Sequence, residues 1–116
     1  MTVSHLLRSA AWIGVLLLVA ASWIPSPYLV RTGMYTQLEH SIAYLLTGIA
    51  LMWAYPHRLP VLVAIALVAF AAVLEIGQIV VPERHAALID WAASAAGAIC
   101  ALVLTVAVRG AAGRRQ

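Results

Sequence analysis

The residues able to do chemistry fall into three short pairs. His40 and Tyr44, Glu75 and Gln78, and Asp90 and Ser94 each lie three or four positions apart. On a helix, that spacing puts both members of a pair on one face. A carboxylate beside an imidazole can take up and return protons. Amide, phenol and hydroxyl groups can hold a polar ligand in place. Arg84 adds a guanidinium fork, which suits a phosphate or a carboxylate.

Glu75 is the most informative single residue. Its neighbours Val73, Leu74 and Ile76 are apolar, and its run continues to Val81. On a helix it therefore sits roughly 9 Å below that end. A carboxylate at such depth costs free energy unless it is paired, protonated or facing a wet cavity. The expected solution is one cluster of His40, Tyr44, Glu75, Gln78, Asp90 and Ser94, with Arg84 above it. Several members also have plain structural uses. Asp90 near a helix start complements the macrodipole. Arg84 can anchor at the interface, and His40 can hydrogen-bond within a bundle. Glu39 and His85 read as solvated groups at loop edges. Glu75 fits a purely structural role least well, because burying a charge is an expensive way to join helices.

The elements that must position these groups follow from composition. The chain has 116 residues, of which 65% are hydrophobic and 9% charged, with seven arginines, four acids and no lysine. A soluble domain carries about a quarter charged residues, and a chain this short keeps much of its surface in contact with solvent. So few charges cannot cover that surface in water, and so apolar a chain is not disordered. The arginines are scattered singly apart from Arg114 and Arg115, which is not a nucleic-acid footprint. The lone Cys100 offers no internal disulfide. The reading is one all-α membrane domain over residues 1–116, too short to hold a separate soluble catalytic module.

A bilayer core about 30 Å thick needs about 20 apolar residues of helix. Four transmembrane helices are expected, at about 9–24, 38–55, 59–81 and 86–108, in an antiparallel bundle. Pro25, Pro56 and Pro82 close three of the runs. The runs are continuous and not alternating, which excludes a transmembrane β-barrel. The first run follows Arg8 as a signal peptide would. It ends in Trp23-Ile24-Pro25, not at a small-residue cleavage site, so it is expected to be retained.

With four spans, Arg8, Arg58, Arg109, Arg114 and Arg115 share one side, and Arg31 and Arg84 the other. The excess of arginine places both termini in the cytoplasm and the polar cluster on the non-cytoplasmic side. Trp23, Tyr28 and Tyr35 then suit one aromatic belt, and Trp53 and Tyr55 the other. Ala93, Gly97 and Ala101 form a small-residue stripe suited to close helix packing.

Two blocks resemble the VanZ-like family, named for a glycopeptide (teicoplanin) resistance accessory protein. One is Gln37-Leu38-Glu39-His40-Ser41-Ile42-Ala43-Tyr44-Leu45-Leu46. The other is Glu75-x-x-Gln78, then Pro82-x-Arg84, Asp90 and Gly97. The resemblance covers residues from about 22 to 104. Two positions depart from the family pattern: Gln37 stands where a lysine is usual, and Ser94 where an asparagine is usual. The resemblance implies a small helical protein of the bacterial cytoplasmic membrane, linked in one member to the response to cell-wall antibiotics, with no settled reaction.

The leading expectation is therefore an envelope protein whose polar site binds, and acts on, the headgroup of a lipid or lipid-linked glycan. Glu75, His40 and Asp90 are the expected proton-handling groups, and Arg84, Gln78, Tyr44 and Ser94 the binding groups. The alternative is a non-catalytic hydrophobic subunit or scaffold of a larger membrane complex. No cofactor and no nucleic acid is expected. A third reading is metal binding through His40, Glu75, Asp90 and His85, whose types suit it, but no HExxH or ExxH helix motif is present, and no metal is expected. Ser94, Ser41 and Cys100 lack the local motifs of nucleophiles. No pair of interrupted helices points to a transporter.

Overall fold

The computed structural model describes residues 2–23, 36–81 and 87–114. These form four helices: α1 (Val3–Trp23), α2 (Thr36–Ala54), α3 (Pro60–Gly77), continued by a 3-10 turn (Gln78–Val80), and α4 (Leu88–Arg114). Three of them are long and apolar enough to cross a membrane: α1, α3 with its 3-10 turn, and α4. The chain is thus a small all-α, multi-span membrane protein. The fourth expected span, α2, has 19 residues but opens on Thr36, Gln37, Glu39, His40 and Ser41, which dilute its apolar character.

The helix ends differ from expectation in ways local chemistry explains. α1 starts at Val3, well before residue 9, because Thr2 caps it. The Thr2 side-chain oxygen accepts the backbone N–H of His5 at 3.4 Å, as an N-cap does. The helix thereby reaches 21 residues, ample for a span. α3 opens with Pro60 in its first turn, where the missing N–H costs nothing. α4 runs past residue 108 to Arg114. Gly110 and Gly113 do not stop it, since a helical glycine costs only about 1 kcal/mol relative to alanine.

Successive helices run antiparallel. Arg8 early in α1 lies over the ring of Tyr55 just beyond α2, and Trp12 in mid-helix donates its ring N–H to the Tyr55 hydroxyl at 2.7 Å. Ser41 early in α2 meets Ala93 early in α4, and Met52 late in α2 meets Arg109 late in α4, so α2 and α4 are parallel. Their packing is the closest in the bundle. A methyl group on Gly97 would collide with the Ser41 carbonyl oxygen, and one on Gly48 would lie 2.8 Å from the Ala101 side chain. The Ala93, Gly97 and Ala101 stripe is the face that makes this approach.

The core is built from Leu18, Tyr44, Leu67, Ala71, Leu74 and Ala98, with a second cluster of Met52, Ala64 and Ala101. Large apolar side chains such as Leu16, Ile65, Val73 and Val103 are exposed. Outward apolar surface on this scale suits a lipid solvent. One end of the bundle gathers cations on aromatic rings: Arg8 lies 5.3 Å from the Tyr55 ring centre, and Arg109 lies 5.1 Å from that of Trp53. The first and last described residues belong to that end. The expected groups Arg31, Arg84, Arg115, His85, Tyr28, Tyr35, Pro25 and Pro82 lie outside the described residues.

Candidate functional site

At the opposite end, three helices converge on one polar cluster. The first turns of α2 present Gln37, His40, Ser41 and Tyr44. The last turns of α3 and its 3-10 continuation present Glu75 and Gln78, and the first turns of α4 present Asp90 and Ser94. One ligand-type atom each from His40, Glu75 and Asp90 lie within 4.8 Å of one another. Glu75 is 9% exposed, whereas His40 and Asp90 are half-buried.

Hydrogen bonds fix the orientation of all three groups. The Glu75 Oε1 accepts the backbone N–H of Ala87 at 2.6 Å. That N–H precedes the first turn of α4, where helical donors have no internal partner. The Gln37 side-chain amide donates to Asp90 Oδ1 at 3.2 Å. Gln37 therefore serves as a neutral partner for the aspartate. His40 Nδ1 lies 2.8 Å from the Thr36 carbonyl oxygen. A carbonyl only accepts, so Nδ1 carries a proton, and in the neutral ring Nε2 then holds the lone pair.

The remaining expected residues divide. Tyr44 is 3% exposed, packs in the core beside Leu74 and lies within electrostatic range of Glu75. Gln78 is buried in the 3-10 turn. Ser94 is also buried, but its hydroxyl donates to the Asp90 carbonyl one turn back, at 3.1 Å. Its proton is thus committed within α4, while its oxygen can still accept a hydrogen bond. Arg84 lies outside the described residues. All four described arginines, Arg8, Arg58, Arg109 and Arg114, sit away from the cluster, at or beyond the far ends of the helices.

Three further contacts brace the cluster, and sequence reading did not anticipate them. Ser41 Oγ donates to the Ala93 carbonyl at 2.7 Å. The ring N–H of Trp91 reaches the Val68 carbonyl, and that of Trp23 the Leu74 carbonyl, both at 3.1 Å. Trp23 also lies over Gly77, where a methyl group would come within 2.5 Å of its ring nitrogen. Each contact ties α3 or α4 to a neighbour within two turns of Glu75 or Asp90. The glycine in an otherwise bulky apolar run was the available signal for the last.

Glu75, alone of the cluster, also lines a groove of about 420 Å³ between α3 and α4. Its lining is Ala72, Glu75, Ile76, Ile79, Ala87, Leu88 and Trp91. A wholly apolar groove of about 430 Å³ adjoins it, sharing Ala72 and Trp91 and reaching Val61 and Leu102. An apolar channel thus runs along the bundle and meets a carboxylate at one end. Two ionised carboxylates about 5 Å apart repel by about 3 kcal/mol at an effective dielectric constant near 20. A shared cation or hydrogen-bond donor between them turns that repulsion into attraction. Hydroxyl, ammonium and metal groups are the natural occupants.

No family model, curated protein or solved structure matches this chain.

Proposed function

We propose that this protein binds an amphiphile, a lipid or lipid-linked glycan, with its tail in the α3–α4 groove and its polar headgroup at Glu75, Asp90 and His40. The observation that carries this reading is the groove itself, whose lining is apolar except at its Glu75 end. Tail length and headgroup are read by different parts of one continuous surface. The carboxylates favour a headgroup rich in hydroxyl groups, since a carboxylate oxygen accepts but cannot donate. In this reading all four helices span the bacterial cytoplasmic membrane, both termini are cytoplasmic, and the site faces outward. In this reading Glu75 and His40 exchange protons with a bound hydroxyl. The spacing of Glu75, Gln78 and Asp90 that resembles the VanZ-like family supports a role in the cell envelope.

The test uses the full chain in detergent micelles and native mass spectrometry. A glycosyl diacylglycerol is compared with a phosphatidylcholine of the same acyl chains. The reading predicts a preference of at least tenfold for the glycolipid, abolished in Glu75→Gln and Asp90→Asn. Ala72→Trp, which fills the groove, weakens both lipids alike. Equal binding of the two lipids by the native protein contradicts the reading. It would leave the scaffold or subunit role, for which the broad exposed apolar surface is suited.

A further inference from the structure

We propose that His40, Glu75 and Asp90 bind one divalent cation of the zinc class, coordinated from three different helices. The three offer an imidazole nitrogen and two carboxylates with ligand-type atoms within 4.8 Å of one another. A zinc ion sits about 2.0–2.2 Å from such atoms, so its tetrahedral ligands lie about 3.3 Å apart.

Proximity alone would be weak support, but each group is also oriented as a ligand. His40 uses Nδ1 to donate to the Thr36 carbonyl, leaving Nε2 with its lone pair. That pattern fixes ring orientation and tautomer in metal-binding histidines. Glu75 engages Oε1 with the Ala87 N–H, and Asp90 engages Oδ1 with the Gln37 amide. Among the described residues, each such bond occupies one polar atom and leaves the second for an ion. The supporting partners come from α2 and from the start of α4, so the scaffold itself positions the ligands.

A mixed imidazole and carboxylate set favours borderline ions such as zinc over magnesium or calcium. Three protein ligands leave a coordination position open, as in zinc sites that bind or activate a small ligand. That open position would accept a hydroxyl oxygen of a headgroup. This last step rests on the function proposed above, whereas ion binding does not.

The test uses zinc alone on chelator-stripped full-length protein in detergent, with no added lipid. Elemental analysis after equilibration at micromolar free zinc gives the stoichiometry, and competition with a chromophoric chelator gives the affinity. The expected result is one zinc per chain. Affinity falls at least a hundredfold in His40→Ala, Glu75→Gln and Asp90→Asn, and about 10–100-fold in Gln37→Ala, the loss expected when a ligand's supporting partner is removed. His57→Ala, at the opposite end, binds as the native protein does. Circular dichroism and gel filtration identify any variant that fails to fold, and the folded ones decide. The proposal is overturned if the native protein holds no zinc, if the cluster variants retain it, or if His57→Ala loses it. Zinc binding without glycolipid preference would overturn only the headgroup reading. The reverse result would overturn only the metal site.

Discussion

Glu75 Oε1 accepts the Ala87 backbone N–H at 2.6 Å, so one buried carboxylate joins the end of α3 to the beginning of α4. This gives Glu75 a structural duty alongside any chemical one, and the two are separable. In Glu75→Gln an amide oxygen still accepts the Ala87 N–H. In Glu75→Ala that donor loses its partner. The alanine variant is expected to lose about 1–3 kcal/mol of unfolding free energy, and the glutamine variant less than 1 kcal/mol. Denaturant titration in micelles measures both. Equal losses in the two variants would show that Glu75 does not act through this hydrogen bond.

Close approach of α2 and α4 depends on Gly97, which lies under the Ser41 carbonyl. Gly97→Ala is expected to destabilise the protein by about 1–3 kcal/mol, the range for overpacking a tight contact. Gly110 has nothing within 4 Å of where a methyl group would stand. Gly110→Ala is therefore expected to be stabilising, by about 0.5–1 kcal/mol, through reduced backbone entropy cost. The same unfolding assay compares them, and a loss in Gly110→Ala equal to that in Gly97→Ala would contradict the packing described.

Arg109 closes the far end of the same helix pair. Its guanidinium donates to the Met52 carbonyl at 2.7 Å and lies over the Trp53 ring. Arg109→Ala is expected to cost about 1–2 kcal/mol, since it removes a charged hydrogen bond and a ring contact. Arg109→Lys should recover only part of that, because an ammonium lacks the planar fork. Full recovery by lysine would mean that charge alone matters at this position.

The start of α1 and the end of α4 lie at the bundle end opposite Glu75. In the proposed topology that end faces the cytoplasm, as the arginine excess favours. A green fluorescent protein fused after Gln116 is expected to fluoresce, and alkaline phosphatase at the same position to be inactive. Active phosphatase would invert the topology and turn the polar site toward the cytoplasm.

Much of the architecture was legible because composition and continuous apolar runs leave helices in lipid as the sole solution. The helix ends were less so, since they depend on single contacts such as the Thr2 cap and on the tolerance of α4 for Gly110. The meeting of His40, Glu75 and Asp90 could be anticipated because an unpartnered carboxylate at the depth of Glu75 is costly. Their residue types alone allowed a metal-binding reading, but no helix motif such as HExxH supported it, because three helices each supply one group. The Gln37–Asp90 bond was likewise hidden. In sequence, Gln37 registers only as a missing charge, and its value as a neutral donor depends on the parallel pairing of α2 with α4.

The central claim is that Glu75 and Asp90 act as one site on a single headgroup. Glycolipid affinity in Glu75→Gln, Asp90→Asn and the double variant tests this directly, because residues acting as a unit are not additive. The account predicts that the double variant binds no more weakly than the poorer single variant. If the two losses instead sum in free energy, or neither variant changes the affinity, the carboxylates do not share a ligand.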